Sequence, residues 1–144
     1  MDMKIAIGSD HGGYRLKVYL KSLLEELGYE VIDVGCQSES SVDYPDFASL
    51  VCESVLTDKA GAGILVCGTG IGMSMAANRQ PGIRAALCHN EYTARMSREH
   101  NDANVLCLGE RVLGTGLAES IVRTWLQTTF AAGRHVTRIE KFDK

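Results

Sequence analysis

Short apolar runs alternate along this chain with longer stretches in which apolar residues return every three or four positions, the pattern of strands alternating with amphipathic helices. Residues 4–8, Lys-Ile-Ala-Ile-Gly, predict a first strand. It ends in the polar turn Ser9-Asp10-His11-Gly12-Gly13, after which Leu16, Leu20, Leu23, Leu24 and Leu27 fall on one helical stripe. Gly28 then supplies the left-handed residue that stops a helix. A second strand at 30–34 leads into a polar stretch from Gly35 to Tyr44, and Pro45 fits the first turn of a helix running to about Leu56. That stretch is longer than the usual ~2–6 residues of a strand-to-helix loop, which makes it a place for a site.

Residues 64–67, Ile-Leu-Val-Cys, predict a third strand, apolar on both faces as in a sheet covered on two sides. Gly68-Thr69-Gly70-Ile71-Gly72 follows and opens a Met/Ala-rich helix to about Asn78. After the Pro81-Gly82 turn come a strand at 84–88, a helix from about Asn90 to Glu99 and a strand at 104–108. A long helix from about Thr115 places Leu117, Ile121 and Trp125 on one face, and Gly133 separates it from a short basic tail, 134–144.

Five strands alternating with helices imply an α/β fold, a three-layer α/β/α sandwich around a Rossmann-like, parallel five-stranded sheet with right-handed crossovers. The chain has no internal repeat or linker, and its 144 residues, 45% of them hydrophobic, suit a single domain spanning 1–144. Ligands bind beyond the carboxyl ends of the strands in such sheets. The loops after the first and third strands should be neighbours there, and they carry Asp10, His11 and Cys67.

A formal charge of -3 removes the electrostatic footprint of a general nucleic-acid or membrane-surface binder. No apolar run approaches the ~20 residues that span a bilayer, and Met-Asp-Met-Lys leads straight into a strand rather than a signal peptide, so a cytoplasmic protein is expected. Cys36, Cys52, Cys67, Cys88 and Cys107 form an odd set without CxxC spacing, which argues against a disulfide framework and against zinc.

Cys67 differs from the other four because it ends a buried strand and abuts a glycine turn opening a helix, where the helix dipole and free amides favour a thiolate. Gly68, Gly70 and Gly72 expose consecutive N–H groups able to hold a phosphate or a developing oxyanion. Thr69 has three readings: a partner of the thiol, a partner of a sugar hydroxyl, or a turn former. Known glycine-loop motifs fail, since Met73 stands where a Walker lysine or a cysteine-phosphatase arginine is needed. A dinucleotide fingerprint is weak, resting on the Gly8–Gly13 turn and on Asp33 as a ribose-binding acid. His100 is a candidate for opening and closing a sugar ring, since an imidazole can both take and give a proton in that work. Arg134 and Arg138, four apart, share a face if the tail is helical and make a receptor for a phosphate, and Arg111 joins them only if the fold or a second subunit brings it near.

In order along the chain, Gly8-Ser9-Asp10-His11, Asp43-Tyr44-Pro45, Cys67-Gly68-Thr69-Gly70-Ile71-Gly72, Ser97-Arg98-Glu99-His100-Asn101-Asp102 and Gly133-Arg134-His135 through Arg138 resemble the type B ribose-5-phosphate isomerases, in the family that includes galactose-6-phosphate isomerase subunits. The resemblance covers nearly the whole chain. It implies an aldose–ketose isomerase that works through a cis-enediolate. Cys67 matches the base, His100 the ring-opening group, and the amides of Gly68 to Gly72, including Ile71, the hole for the enediolate oxygen. Asp10, His11, Tyr44 and Asn101 match substrate contacts, Thr69 is expected both among the catalytic residues with Cys67 and His100 and among the substrate contacts, and Arg111, Arg134 and Arg138 match the basic positions, the last two holding the phosphate. It further implies no metal, no redox cofactor, and a homo-oligomer, dimer or tetramer, whose sites are shared between subunits.

Two rivals stand beside this reading. The same chemistry on a six-carbon phosphate, allose or galactose 6-phosphate, would need a different pocket depth, which activity of the purified chain on each sugar separates. A non-catalytic phosphosugar- or nucleotide-binding module would use the glycine loop and arginines but would need no reactive thiol.

Overall fold

The computed structural model describes residues 3–143. Its five strands are β1 (Lys4–Ser9), β2 (Glu30–Gly35), β3 (Ala62–Cys67), β4 (Ala85–Leu87) and β5 (Val105–Gly109). The helices are α1 (Tyr14–Glu26), α2 (Tyr44–Leu56), α3 (Ile71–Asn78), α4 (Glu91–Glu99), α5 (Thr115–Gln127) and α6 (Arg134–Phe142). The strands form one parallel sheet in the order β2-β1-β3-β5-β4. This is the three-layer α/β sandwich that the alternation implies.

Side chains alternate across each strand and so sort into two cores. Ile5, Ile7, Ile64, Val66, Leu106 and Leu108 point to the face covered by α1, α4 and α5, where they meet Leu20, Leu24, Ala94, Ile121 and Trp125. Ala6, Leu65, Cys67, Val105 and Cys107 point to the other face, against Val51 and Cys52 of α2 and Met73 and Ala77 of α3. Each fully buried Leu or Ile contributes roughly 1.5–3 kcal/mol by leaving water. Trp125 is buried with its indole N–H donating to Ser97 Oγ at 3.1 Å, so its one polar atom is satisfied and α5 is pinned to α4.

Four details differ from the sequence pattern. First, β4 is three residues rather than five, because Arg84 turns away to donate its backbone N–H to Asn104 Oδ1 and its side chain to the Asp102 carbonyl. Second, Leu117 is exposed, since α5 turns Ala118, Ile121, Val122 and Trp125 inward, an i, i+3, i+4, i+7 stripe that leaves position 117 on its flank. Third, Leu27 lies past the last turn of α1 and is also exposed.

Fourth, the basic tail forms the helix α6 over Arg134–Phe142, seated rather than free, with Lys144 outside the described residues. Ile139 is buried beneath it, and Asp143 at its end accepts from Arg84 Nη1 at 3.0 Å. Arg84 also faces Asp102 at 3.6 Å, and Arg98 faces the same carboxylate at 3.3 Å, so the end of α6, the start of β4 and the turn after α4 share one charge network.

Lys17 is buried within α1, its ammonium donating to Asp33 Oδ1 at 2.7 Å and to the Cys36 carbonyl at 2.6 Å. Asp33 also accepts from the Gly35 amide at 2.9 Å. The carboxylate thus holds the start of the loop after β2, which removes it as a ribose-binding acid.

Candidate functional site

The pairing of β1 with β3 and of β3 with β5 sets three loops side by side at the carboxyl end of the sheet. Ser9 is in register with Val66, and Cys67 with Gly109. Backbone bonds tie the loops together, the Asp10 amide donating to the Val66 carbonyl at 3.3 Å and the Arg111 amide to the Gly68 carbonyl at 2.9 Å.

Cys67 Sγ accepts from the Gly70 amide at 3.1 Å and is nearly closed from solvent. The turn that makes this contact depends on Gly70, whose φ of 80° is left-handed and which caps α3. Thr69 Oγ1 accepts from the Ile71 amide at 3.2 Å, so in this structure the side chain shapes the first turn of α3, with its hydroxyl hydrogen still to give. A helix's first four N–H groups have no partner within it, and at the start of α3 those of Gly70 and Ile71 are met by Cys67 Sγ and Thr69 Oγ1.

Asp10 is buried, and its Oδ1 accepts from the Gly13 amide at 3.1 Å, which closes a single 3-10 turn over His11–Gly13. His11 Nδ1 accepts from the Val42 amide at 3.2 Å, so this histidine holds down the long loop after β2. That loop delivers Tyr44, whose ring lies on Gly72: a Cβ there would stand 2.7 Å from Tyr44 Cε1. The Arg111 guanidinium covers Gly68 and Gly12, where a Cβ would stand 3.1 Å from Nη1 and 3.5 Å from Nη2 respectively. One chain therefore gathers Asp10, His11, Tyr44, the Cys67–Gly72 loop and Arg111 around one opening.

His100, Asn101, Arg134 and Arg138 are not in that group. His100 caps the carboxyl end of α4, which runs back against the strands, and so lies at the amino end of β5. Cys67 is level with Gly109 at the other end, and β5 alone spans about 13 Å at ~3.3 Å per residue. At the amino end His100 stacks on His135 of α6, ring centroids 4.3 Å apart and planes 16° from parallel. Arg134 and Arg138 stand close enough to act on that pair, as burial first, then His100, Arg134 and Arg138, against an opposing Glu99, lower His135 below its ordinary 6.5. Asn101 lines a neighbouring cleft with Arg84, Ser97 and Phe142.

Three of the remaining thiols are poor nucleophiles. Burial pushes Cys52 up to about 11 and raises Cys88 and, further, Cys107. Cys36, buried, donates to the Ser38 carbonyl at 3.2 Å inside the loop after β2. A cavity of about 560 Å³ lined by Met3, Lys4, Ile32, Asp58, Lys59 and Gly61 lies at the amino ends of β1 and β3, remote from Cys67. Among the described residues no three His, Cys, Asp or Glu side chains are grouped as metal ligands, and no helix is long and apolar enough to cross a membrane.

Two residues escaped the sequence pattern. Lys17 sits at i-3 and i-7 from Leu20 and Leu24, so its place on the apolar stripe was readable as a buried lysine in need of an acid. His135 gave no local signal, because its stack with His100 is made by two distant segments.

Comparison with known proteins gives a consistent picture. A family model described as Ribose/Galactose Isomerase matches residues 5–142. Ribose-5-phosphate isomerase B of Escherichia coli is 49% identical over 137 residues, 95% of this chain and 92% of that protein. The solved structure of Clostridium thermocellum ribose-5-phosphate isomerase B is 59% identical with a TM-score of 0.97, covering 98% of this chain and 95% of that one. That of the Thermotoga maritima ribose 5-phosphate isomerase is 53% identical with a TM-score of 0.98, covering 99% of each.

Proposed function

The chain belongs to the ribose/galactose isomerase family, and from that premise we propose that it interconverts ribose 5-phosphate and ribulose 5-phosphate with Cys67 as the base. The observation that carries the reading is the contact of the Gly70 amide with the Cys67 sulfur at the mouth shared by Asp10, His11 and Arg111. A hydrogen bond donated to sulfur favours the thiolate over the thiol.

The thiolate takes the proton from C2 of the open-chain aldose. The C2–H electron pair becomes the C1=C2 bond and the C1 carbonyl pair moves to O1, giving a cis-enediolate. Amides of the Gly68–Gly72 turn and the start of α3 stabilise that oxyanion, the kind of fixed donor array that outperforms water. The O2 proton passes to O1, the thiol returns its proton to C1, and C2 becomes the ketose carbonyl. Asp10, His11, Tyr44 and Asn101 hold sugar hydroxyls, and Thr69 orders the turn with its free hydroxyl hydrogen turned to the substrate. Arg134 and Arg138 hold the phosphate, Arg111 the sugar near the thiol.

His100 takes the anomeric hydroxyl proton and returns one to the ring oxygen, opening the furanose before isomerisation. It stands at the wrong end of its own sheet to serve its own Cys67. The site is therefore completed by a second copy, which brings His100, Asn101, Arg134 and Arg138 to the mouth holding Cys67. Around that mouth Ile71, Met75 and Val112 are exposed apolar side chains, suited to an interface between two copies. Five free, buried thiols suit the reducing cytoplasm as the place of work.

The test is ketose formation by the purified chain, with a chelator present, from ribose 5-phosphate, allose 6-phosphate and galactose 6-phosphate in turn. Turnover of the five-carbon sugar is expected. Activity confined to a six-carbon sugar would move the assignment to that substrate, and binding of ribose 5-phosphate without turnover would overturn it.

A further inference from the structure

Ring opening makes a demand on His100 that its own helix does not meet. One imidazole must take a proton from the anomeric hydroxyl and give one to the ring oxygen, so its nitrogen-bearing edge must face two substrate oxygens at once. His100 caps the carboxyl end of α4, held there through its backbone amide to the Met96 carbonyl at 2.9 Å. A side chain in that place turns about two bonds, and the terminal torsion of a histidine is broad.

We propose that His135 is a positioning residue for the proposed isomerisation: its ring, stacked on His100, fixes the plane of the imidazole that opens the sugar. The proposal rests on the reading of His100 given above. Stacking restrains a ring through its faces and leaves its edges available, which is what a proton shuttle requires; a hydrogen bond to a ring nitrogen would consume the edge.

The chain positions His135 for this. Ala132 and Gly133 both have positive φ, 57° and 58°, and turn the backbone so that α6 starts beside the end of α4. The Ala131 amide donates to the Glu99 carbonyl at 2.9 Å, fastening that turn to the residue before His100. Buried Ile139, one turn on, and the Asp143–Arg84 pair hold the rest of the helix. With Ile139 as its inward anchor, α6 presents His135 to His100, while Arg134 and Arg138 stay exposed on a separate face for the phosphate.

The charged groups around the stack also suit it. Glu99 and His100 come from α4, and Arg134, His135 and Arg138 from α6; the balance of burial and cations holds His135 below its ordinary value, so it stacks as a neutral ring near pH 7. Two imidazolium cations face to face would repel.

The experiment compares ribose 5-phosphate with an analogue lacking the 4-hydroxyl, which cannot close a furanose ring and needs no opening. His135→Ala should lower kcat/KM on ribose 5-phosphate about ten-fold or more, through loss of the aligned geometry, and leave the acyclic analogue within about two-fold. His135→Phe, which keeps a flat ring but no proton, should restore most of the activity. Equal losses on both substrates, or no loss, or no rescue by Phe, would overturn the proposal. His100→Ala is run alongside: if it too fails to separate the two substrates, the ring-opening role of His100 falls, and the role of His135 with it. A clean separation by His100→Ala without one by His135→Ala overturns the positioning role alone.

Discussion

The Gly70 amide donates to the Cys67 sulfur at 3.1 Å because Gly70 holds a left-handed φ of 80° in a space with no room for a side chain. A Cβ at Gly70 would lie 2.5 Å from Leu87 Cδ1 and 2.9 Å from the Leu108 carbonyl carbon. The leucine methyl can yield; the β5 backbone cannot without shifting the sheet. Gly70→Ala should therefore displace the amide from sulfur, cutting kcat on ribose 5-phosphate at least about ten-fold and costing ~1–2 kcal/mol for the left-handed conformation alone. Steady-state kinetics and thermal unfolding of the variant check both, and an unchanged kcat would separate the amide from the chemistry.

Buried Lys17 and half-buried Asp33 pair at 2.7 Å and tie α1 to the loop carrying Tyr44. Removing the ammonium takes a donor from the Cys36 carbonyl and from Asp33, which keeps the Gly35 amide and Lys21 at 3.8 Å, so the loss is about 1–3 kcal/mol. Lys17→Met is expected to lower the urea midpoint by that order, while Lys17→Met with Asp33→Leu recovers a good part of it. A single variant as stable as the parent would contradict the pairing.

The high-pH limb of stability should carry the buried thiols. Cys52 is held at about 11 and Cys107 well above its ordinary 9.0, both by burial. A folded value above the unfolded one gives stability that is whole below about pH 8.5–9 and falls as pH climbs through the folded value. The denaturation midpoint should thus decline between about pH 9 and 11, and Cys52→Ala should flatten the decline. A midpoint that holds level to pH 11 in the parent would contradict this assignment.

The layers, the strand alternation and the gathering of Cys67, Asp10 and His11 at one end of the sheet were legible because each rests on local pattern. An apolar strand running into Gly68-Thr69-Gly70-Ile71-Gly72 has few ways to fold, and the length of the polar stretch before Tyr44 marked it as a loop with a task. What the pattern could not carry was long-range. Arg111 belongs with Gly68 rather than with Arg134 and Arg138, a consequence of strand order. The 134–144 tail reads as merely basic until Ile139 is seen to be buried and Asp143 to meet Arg84. The His100–His135 stack joins two segments with no shared motif. Leu117 shows the reverse failure, a correct helix whose inward face was placed a short arc off.

The separation of Cys67 from His100 by the length of the sheet offers the most direct test of the account. Cys67→Ala and His100→Ala should each be inactive or slowed by roughly 10²-fold or more as homo-oligomers. Unfolded together in equal amounts and refolded, they should regain roughly a quarter of the parent activity, because half the dimers are mixed and one of the two sites in each is whole. Recovery at that level would place the thiol and the imidazole of one site on different copies. A refolded mixture no more active than its components, with mixed oligomers present by mass spectrometry, would contradict the shared site.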